Sequence, residues 1–234
     1  MAEPKQVVIV GGTQGLGFEI ARHYAAKGAE VVITGRDLAK AQAAAGEVGG
    51  RTSAVAFDLS KPETIAASLS AIASLDGLVM GAILRDENTA RNFDIGRATN
   101  LVMLKLVGYL ETIHTLVPRF PERGGAIVLF GGTAFHRPYP GSTTVSTVNG
   151  GISGMMHSLA TEIAPVRVNA IHPGVVNDSP YWREKTEALE RLRTRTPGGR
   201  PLHMTDIIGA VAFLLENEGI NGHDLVVDNG RMVM

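Results

Sequence analysis

Short apolar runs alternate with longer amphipathic stretches from one end of the chain to the other. The runs at 7–10, 31–34, 52–57, 77–82, 126–130, 167–171 and 225–227 are rich in β-branched and aliphatic residues. Continuous apolar runs of this length read as strands buried on both faces. Between them, residues 15–27, 39–47, 62–74, 95–117, 143–163 and 205–215 carry helical spacing. In the fifth of these, Val145, Val148, Ile152, Met155, Leu159 and Ile163 recur at three- and four-residue steps, the period of one helix face. Strand and helix in regular alternation predict an α/β fold. The expected form is a Rossmann-type, doubly wound parallel sheet of about seven strands, with right-handed crossovers and helices on both faces.

No repeat, low-complexity segment or Pro/Gly/Ser linker divides the 234 residues, so one domain spanning 1–234 is expected. Residues 177–202 break the rhythm with charge and proline. Arginines there are interleaved with glutamates, and Glu187 precedes Arg191 by four, as on a solvated helix. This segment reads as an insertion or lid over a site rather than a phosphate-binding patch.

Composition narrows the function. With 44% apolar residues the chain can bury a sizeable core, which excludes intrinsic disorder. The balance of 22 Lys+Arg against 23 Asp+Glu leaves a net charge of −1, so no global field attracts nucleic acid or an anionic membrane. The absence of cysteine excludes disulfides, a thiol nucleophile and thiolate zinc sites. The seven histidines show no His-x-x-x-His pair, so no metal centre is expected, and no Gly-x-Ser-x-Gly elbow marks a hydrolase. The first apolar run is too short for a signal peptide, and the run at 101–110, broken by Lys105, falls short of a membrane span. A soluble, cytoplasmic protein is the expectation.

The 28 glycines are about 12% of the chain, against a usual share of about 7%, and their placement is informative. Gly11-Gly12-Thr13-Gln14-Gly15-Leu16-Gly17 follows the first strand and opens the first helical stretch. Glycines permit a tight turn and a close approach to a pyrophosphate, and a helix N-terminus supplies free N–H groups. Gly11, Thr13, Gln14, Gly15, Leu16 and Gly17 are therefore candidate dinucleotide-binding residues. The second strand ends in Thr34-Gly35-Arg36-Asp37. A carboxylate at that tip suits the ribose hydroxyl of NAD(H), whereas the planar fork of Arg36 suits a 2′-phosphate, so NADP(H) is favoured over NAD(H).

Gly11-x-x-x-Gly15-x-Gly17 resembles the glycine motif of the short-chain dehydrogenase/reductase family, and the likeness extends along nearly the whole chain. Asp58, followed by Leu59, resembles the family's adenine-contacting Asp. Asn100 stands where the family has a structural Asn in its fourth helix. Residues 168–174 resemble the segment whose Pro-Gly, here Pro173-Gly174, lies by the nicotinamide, and residues 221–230 resemble the C-terminal strand. The resemblance implies an oxidoreductase acting on a small carbonyl, alcohol or enone. It also implies a homodimer or homotetramer built on the helix at 143–163, whose apolar stripe and Gly150, Gly151 and Gly154 suit close helix contact.

The resemblance fails where the chemistry sits. Family members carry a Ser after the fifth strand and a Tyr-x-x-x-Lys pair on the next helix; this chain has Gly132, Val145 and Asn149 there. Met80-Gly81-Ala82-Ile83 replaces Asn-Asn-Ala-Gly. Candidate substitutes are Thr133 for the Ser hydroxyl, His136 and Tyr139 as proton donors from the adjoining loop, and His172 before the Pro-Gly. Tyr181-x-x-x-Lys185 has the right spacing but follows Pro173-Gly174, and it reads as a chance match. Two further readings remain open: a catalytically silent NADP(H)-binding sensor or oligomer partner, and a non-redox lyase or cyclase.

Overall fold

A computed structural model describes residues 3–234. The apolar runs become β1 (Gln6–Val10), β2 (Glu30–Gly35), β3 (Arg51–Ala56), β4 (Gly77–Met80), β5 (Ala126–Phe130), β6 (Arg167–Pro173) and β7 (Asp224–Val227). They pair in parallel throughout, in the order β3-β2-β1-β4-β5-β6-β7. The chain reverses its direction of travel across the sheet between β1 and β4. This switch point opens a crevice at the carboxyl ends of the strands, the place where such sheets bind ligands.

The helices are α1 (Gly15–Ala26), α2 (Leu38–Val48), α3 (Ile65–Ser68), α4 (Ile95–Val102), α5 (Gly108–Leu116), α6 (Thr143–Glu162), α7 (Thr186–Arg193) and α8 (Met204–Glu216). Alternate strand residues face opposite layers. Val8 and Val10 join Ile65, Leu104, Ile113 and Ile152 from α3 to α6, while Val7 and Ile9 join Ile20, Tyr24, Ala44 and Val211 from α1, α2 and α8. Only the inner strands are buried on both faces. β3 and β7 close the sheet, and every β7 residue is half-exposed.

The helix expected over 62–74 is cut to a 3₁₀ turn and the four residues of α3. Arg119 ends it by donating to the carbonyls of Leu69 and Ile72. The stretch over 95–117 is interrupted by a wide π-type turn at Met103–Val107. The whole helical stretch Ile95–Arg119 has the length and apolarity to cross a membrane, but Leu104, Tyr109, Ile113 and Leu116 pack it onto the sheet as a core helix. Residues 177–202 contain α7, which buries nothing. Their two ends are pinned together by Asn177 N–H to Leu202 O at 2.8 Å.

The apolar stripe of the helix at 143–163 does not form the subunit contact expected of it. On α6, Val148, Ile152, Met155 and Leu159 lie in the core, so the apolar stripe offers no free surface to a second subunit. A β-carbon on Gly151 would stand 2.9 Å from Leu106, and one on Gly150 would stand 3.1 Å from Phe135, so both glycines serve packing within the chain. Only Gly154 of the three faces open space.

Candidate active site

Helix α1 begins directly at the glycine loop. Its N-cap residue, Gln14, makes no side-chain cap bond, and the first turn carries no acidic residue. The first N–H groups of α1 therefore have no intrahelical partner and stay available to an anion. The loop also demands its glycines. A β-carbon on Gly17 would fall 2.2 Å from the Gly11 carbonyl oxygen, and one on Gly11, at φ +87°, would fall 2.7 Å from the Ala82 Cα. Thr13 packs so closely on the tip of β2 that a β-carbon on Gly35 would stand 2.6 Å from its methyl group. The residues present fit a dinucleotide: uncapped N–H groups at one end, and a strand tip with no room for a carboxylate at the other.

Beyond that tip, Asp37 is occupied as the N-cap of α2, accepting the Lys40 N–H at 3.0 Å, which leaves the neighbouring exposed Arg36 outside that bond. Asp58, after β3, is half-buried. Burial pushes its carboxyl up, but the Ser60 N–H and hydroxyl, at 3.0 and 2.8 Å from Oδ1, outweigh it, and with Arg36 and Lys61 nearby the group stays ionised below the usual range. Both Ser60 bonds fall on one oxygen, which leaves Oδ2 available. Leu59 beside it is buried in the core. At the far strand, Gly174 N–H donates to Val227 O at 2.8 Å and fixes the Pro173-Gly174 turn at the sheet edge.

The altered catalytic wall is tightly built. A β-carbon on Gly132 would lie 2.8 Å from Asn149 Nδ2, so Gly132 and Asn149 face each other. Asn149 is only 4% exposed and makes no side-chain hydrogen bond among the described residues. Behind them sits His172, fully buried. Its Nε2 lies 2.7 Å from Asp224 Oδ1, which also accepts the Ser153 hydroxyl at 3.0 Å. With the ring proton held towards Asp224, Nδ1 accepts the Gly132 N–H at 3.2 Å. His172 is thereby a strut under the β5 end, with both nitrogens engaged.

Its ring leaves no space at Gly131, where a β-carbon would stand 2.5 Å from it. Gly131→Ala is expected to cost about 1–3 kcal/mol by overpacking, a fall in melting midpoint of roughly 2–10 °C for a domain of this size. Thermal denaturation of the single variant checks it, and an unchanged midpoint contradicts the tight fit.

Asn100 is exposed on α4, whose buried residues are Ala98 and Leu101. Lys105, read as an interruption, is buried on the π-type turn. Its Nζ donates to Tyr109 Oη at 3.0 Å and to the Phe130 carbonyl. Tyr109 Oη in turn lies 2.8 Å from Met80 O and 2.7 Å from Ala82 O. The pair ties the ends of β4 and β5 together beneath the site. The only sequence signal was a lysine inside an apolar run with a tyrosine four residues on.

Burial pulls the Lys105 ammonium down to about 7 and pushes the Tyr109 phenol well up. The unfolded lysine titrates near 10.4, so between these values the unfolded chain holds a proton that the folded chain has shed. Stability therefore rises with pH across this window, by up to about 1.4 kcal/mol per unit, and the full burial penalty applies below it. Relative to Lys105→Met, the wild type should gain about 2 kcal/mol between pH 7 and pH 9. Denaturant unfolding of both proteins at the two pH values measures this, and parallel pH dependences contradict it.

The loop between β5 and α6 opens with the half-buried Thr133 beside Gly132, followed by the exposed His136 and Tyr139. The His136 ring lies 5.7 Å from that of His172. Burial raises the Tyr139 phenol, against a lowering pull from Arg85, so it stays protonated at neutral pH. Val145 is half-buried in the first turn of α6. In the Tyr181-x-x-x-Lys185 pair, Lys185 Nζ sits 3.5 Å over the ring centroid, a cation on an aromatic face. Pro180 reaches the glycine loop, 3.4 Å from the β-carbon position of Gly15, so residues 177–202 do border the site.

Comparison with known proteins accords with this architecture. The family described as Enoyl-(Acyl carrier protein) reductase matches residues 10–231. The chain is 32% identical to "Carbonyl reductase family member 4" of Xenopus laevis over 236 residues, covering 97% of each. It is 30% identical to the "3-oxoacyl-[acyl-carrier-protein] reductase" of Homo sapiens over 237 residues, covering 98% of this chain and 99% of that one. Among solved structures, a "putative betaketoacyl-ACP reductase" superposes with a TM-score of 0.88 at 26% identity, over 98% of both chains. With the sheet order, the glycine loop and matches along its full length, the chain belongs to the short-chain dehydrogenase/reductase family of oxidoreductases.

Proposed function

We propose that the chain binds NADP(H) and reduces a small carbonyl or enone, or oxidises the matching alcohol, at a site without the family's usual proton-transfer residues. The observation that carries the cofactor choice is the β2 tip: no room for a carboxylate at Gly35, Asp37 occupied as a helix cap, and Arg36 left over. Gly11, Thr13, Gln14, Gly15, Leu16 and Gly17 hold the pyrophosphate, Arg36 the 2′-phosphate, Asp58 with Leu59 the adenine side, and Pro173-Gly174 the nicotinamide side. The names of the relatives, a carbonyl reductase and a 3-oxoacyl-thioester reductase, support carbonyl chemistry.

When bound, NADPH supplies the hydride. The chain's own residues then have to orient the carbonyl and deliver a proton. The unpartnered amide of Asn149 donates to the carbonyl oxygen from the floor of the site, with Thr133 beside it. His136 or Tyr139, on the exposed loop, brings the proton. His172 orients Gly132 and takes no part in the transfer, because Asp224 and the Gly132 N–H occupy its nitrogens. Residues 177–202 act as a lid. The silent-binder reading is favoured by one observation, the loss of all three usual groups at Gly132, Val145 and Asn149.

NADPH is expected to bind about 10- to 100-fold more tightly than NADH, and Arg36→Ala should remove most of the difference. Energy transfer from Trp182 to the nicotinamide reads both titrations. Equal affinities, or an unchanged NADPH affinity in the variant, contradict the assignment. Assembly into a homodimer or homotetramer is also proposed. Phe93, Ile95, Val107 and Leu110 stand exposed on and beside the helical stretch Ile95–Arg119, an apolar surface for a second copy. Light scattering at micromolar concentration should show more than one subunit; a monomer contradicts it.

A further inference from the structure

Tyr181 is held between two cations. The Arg85 guanidinium carbon lies 3.1 Å from its ring centroid and the Lys185 ammonium 3.5 Å from the same point. Two groups this close to one centroid cannot share a face, so they flank the ring. Aromatic faces attract cations, but two like charges across a single ring also repel one another. Neither has a carboxylate partner among the described residues. The ion pairs nearby are Arg97–Asp86 at 3.4 Å and Arg183–Glu184 at 3.8 Å. Asp86 is buried and also holds Asn88, and Glu87 acts on Tyr139 without pairing to Arg85. Arg85 and Lys185 are both exposed, so the two cations stay open to an incoming anion.

The two cations belong to segments that border the site. Arg85 follows β4 on the segment whose Ala82 lies against Gly11 of the cofactor loop. Lys185 lies five residues beyond Pro180, which touches Gly15. Tyr139, on the third bordering segment, is near enough to feel both Arg85 and Tyr181. The mouth of this crevice thus carries two cations that make no ion pair of their own among the described residues.

We infer that Arg85 and Lys185, mounted on Tyr181, form an anion subsite at the mouth of the cleft, and that the substrate is a carbonyl compound bearing a carboxylate or phosphate away from its carbonyl. The inference rests on the functional reading above and narrows its substrate class. It makes Tyr181-x-x-x-Lys185 a recognition element rather than an acid–base pair: the ring fixes both cations, and the anion bridges them. A guanidinium offers a bidentate fork and the ammonium a point charge, a combination suited to either oxyanion.

Trp182 is the chain's single tryptophan, its ring 5.2 Å from that of Tyr181, and it serves as the probe. 4-Oxopentanoate, 5-oxohexanoate and their methyl esters are titrated against Trp182 fluorescence at constant ionic strength, with and without saturating NADPH. The acids should bind roughly tenfold or more tightly than the esters. Arg85→Gln and Lys185→Gln should each erase most of that preference, and Arg85→Lys should keep part of it. With NADPH present, acid binding should persist or strengthen. Equal affinity of acid and ester, no acid binding, or a preference untouched by both variants overturns the inference. Displacement of the acids by NADPH also overturns it, by assigning the cations to the cofactor's own phosphates. Failure of NADPH itself to bind, read by energy transfer, instead contradicts the functional reading, and the titration without cofactor still judges the subsite.

Discussion

Restoring the family's three groups together, by Gly132→Ser, Val145→Tyr and Asn149→Lys, is expected to raise NADPH-dependent reduction of simple ketones by about 10²- to 10⁴-fold. That is the range a positioned general acid contributes. The geometry explains why all three must change at once. A serine β-carbon at position 132 meets the Asn149 amide at 2.8 Å, so the side chain at 149 has to turn aside to admit it. A phenol alone titrates near 10, so the tyrosine needs the lysine to lower its pKa. Single substitutions should accordingly give little, and their effects should be far from additive. Steady-state kinetics of the single, double and triple variants, with NADPH affinity as the control for folding, measures this. A triple variant that binds NADPH but gains nothing places the missing chemistry elsewhere.

The second large effect concerns whatever residual turnover the wild type has. If the loop after β5 supplies the proton, His136→Ala or Tyr139→Phe should reduce turnover by about 10²-fold or more while leaving NADPH affinity within a factor of about two. Both residues are exposed and make no side-chain hydrogen bond among the described residues, so removing either should not disturb folding. The pH profile separates them. Burial raises the Tyr139 phenol and keeps it protonated throughout neutral pH, so turnover that depends on Tyr139 should stay flat across that range. Turnover insensitive to both substitutions contradicts the loop as donor. No turnover on a broad carbonyl and enone panel supports the silent-binder reading.

The parts of this protein legible in its sequence are those set by local physics. Seven strands were visible because an inner parallel strand is apolar along its whole length, and β3 and β7 were the least regular because they close the sheet. The glycine loop was visible because its glycines follow a strand and open a helix. Counted spacing also pointed to Gly132 and Asn149 as neighbours, and the two do meet in the structure.

What stayed hidden depends on contacts between distant segments. His172 and Asp224 are 52 residues apart, and nothing in either neighbourhood announces a buried strut. The π-type turn at Met103–Val107 changes which side chains face inward, and Lys105 enters the core. Periodicity at 3.6 residues contains no warning of that slip. The apolar stripe of α6 was read correctly as a stripe, but period alone does not say whether it packs on its own sheet or on a neighbour.

The central claim is that the cofactor apparatus is intact and the proton apparatus is not. One stopped-flow experiment tests both halves in a single trace. Protein and NADPH are mixed, and energy transfer from Trp182 reports binding; a simple ketone is then added, and decay of the reduced nicotinamide signal reports turnover. The account predicts a clear binding signal and a decay about 10²- to 10⁴-fold slower than that of a relative carrying the usual Ser, Tyr and Lys. No binding signal, or a decay as fast as the relative's, contradicts it.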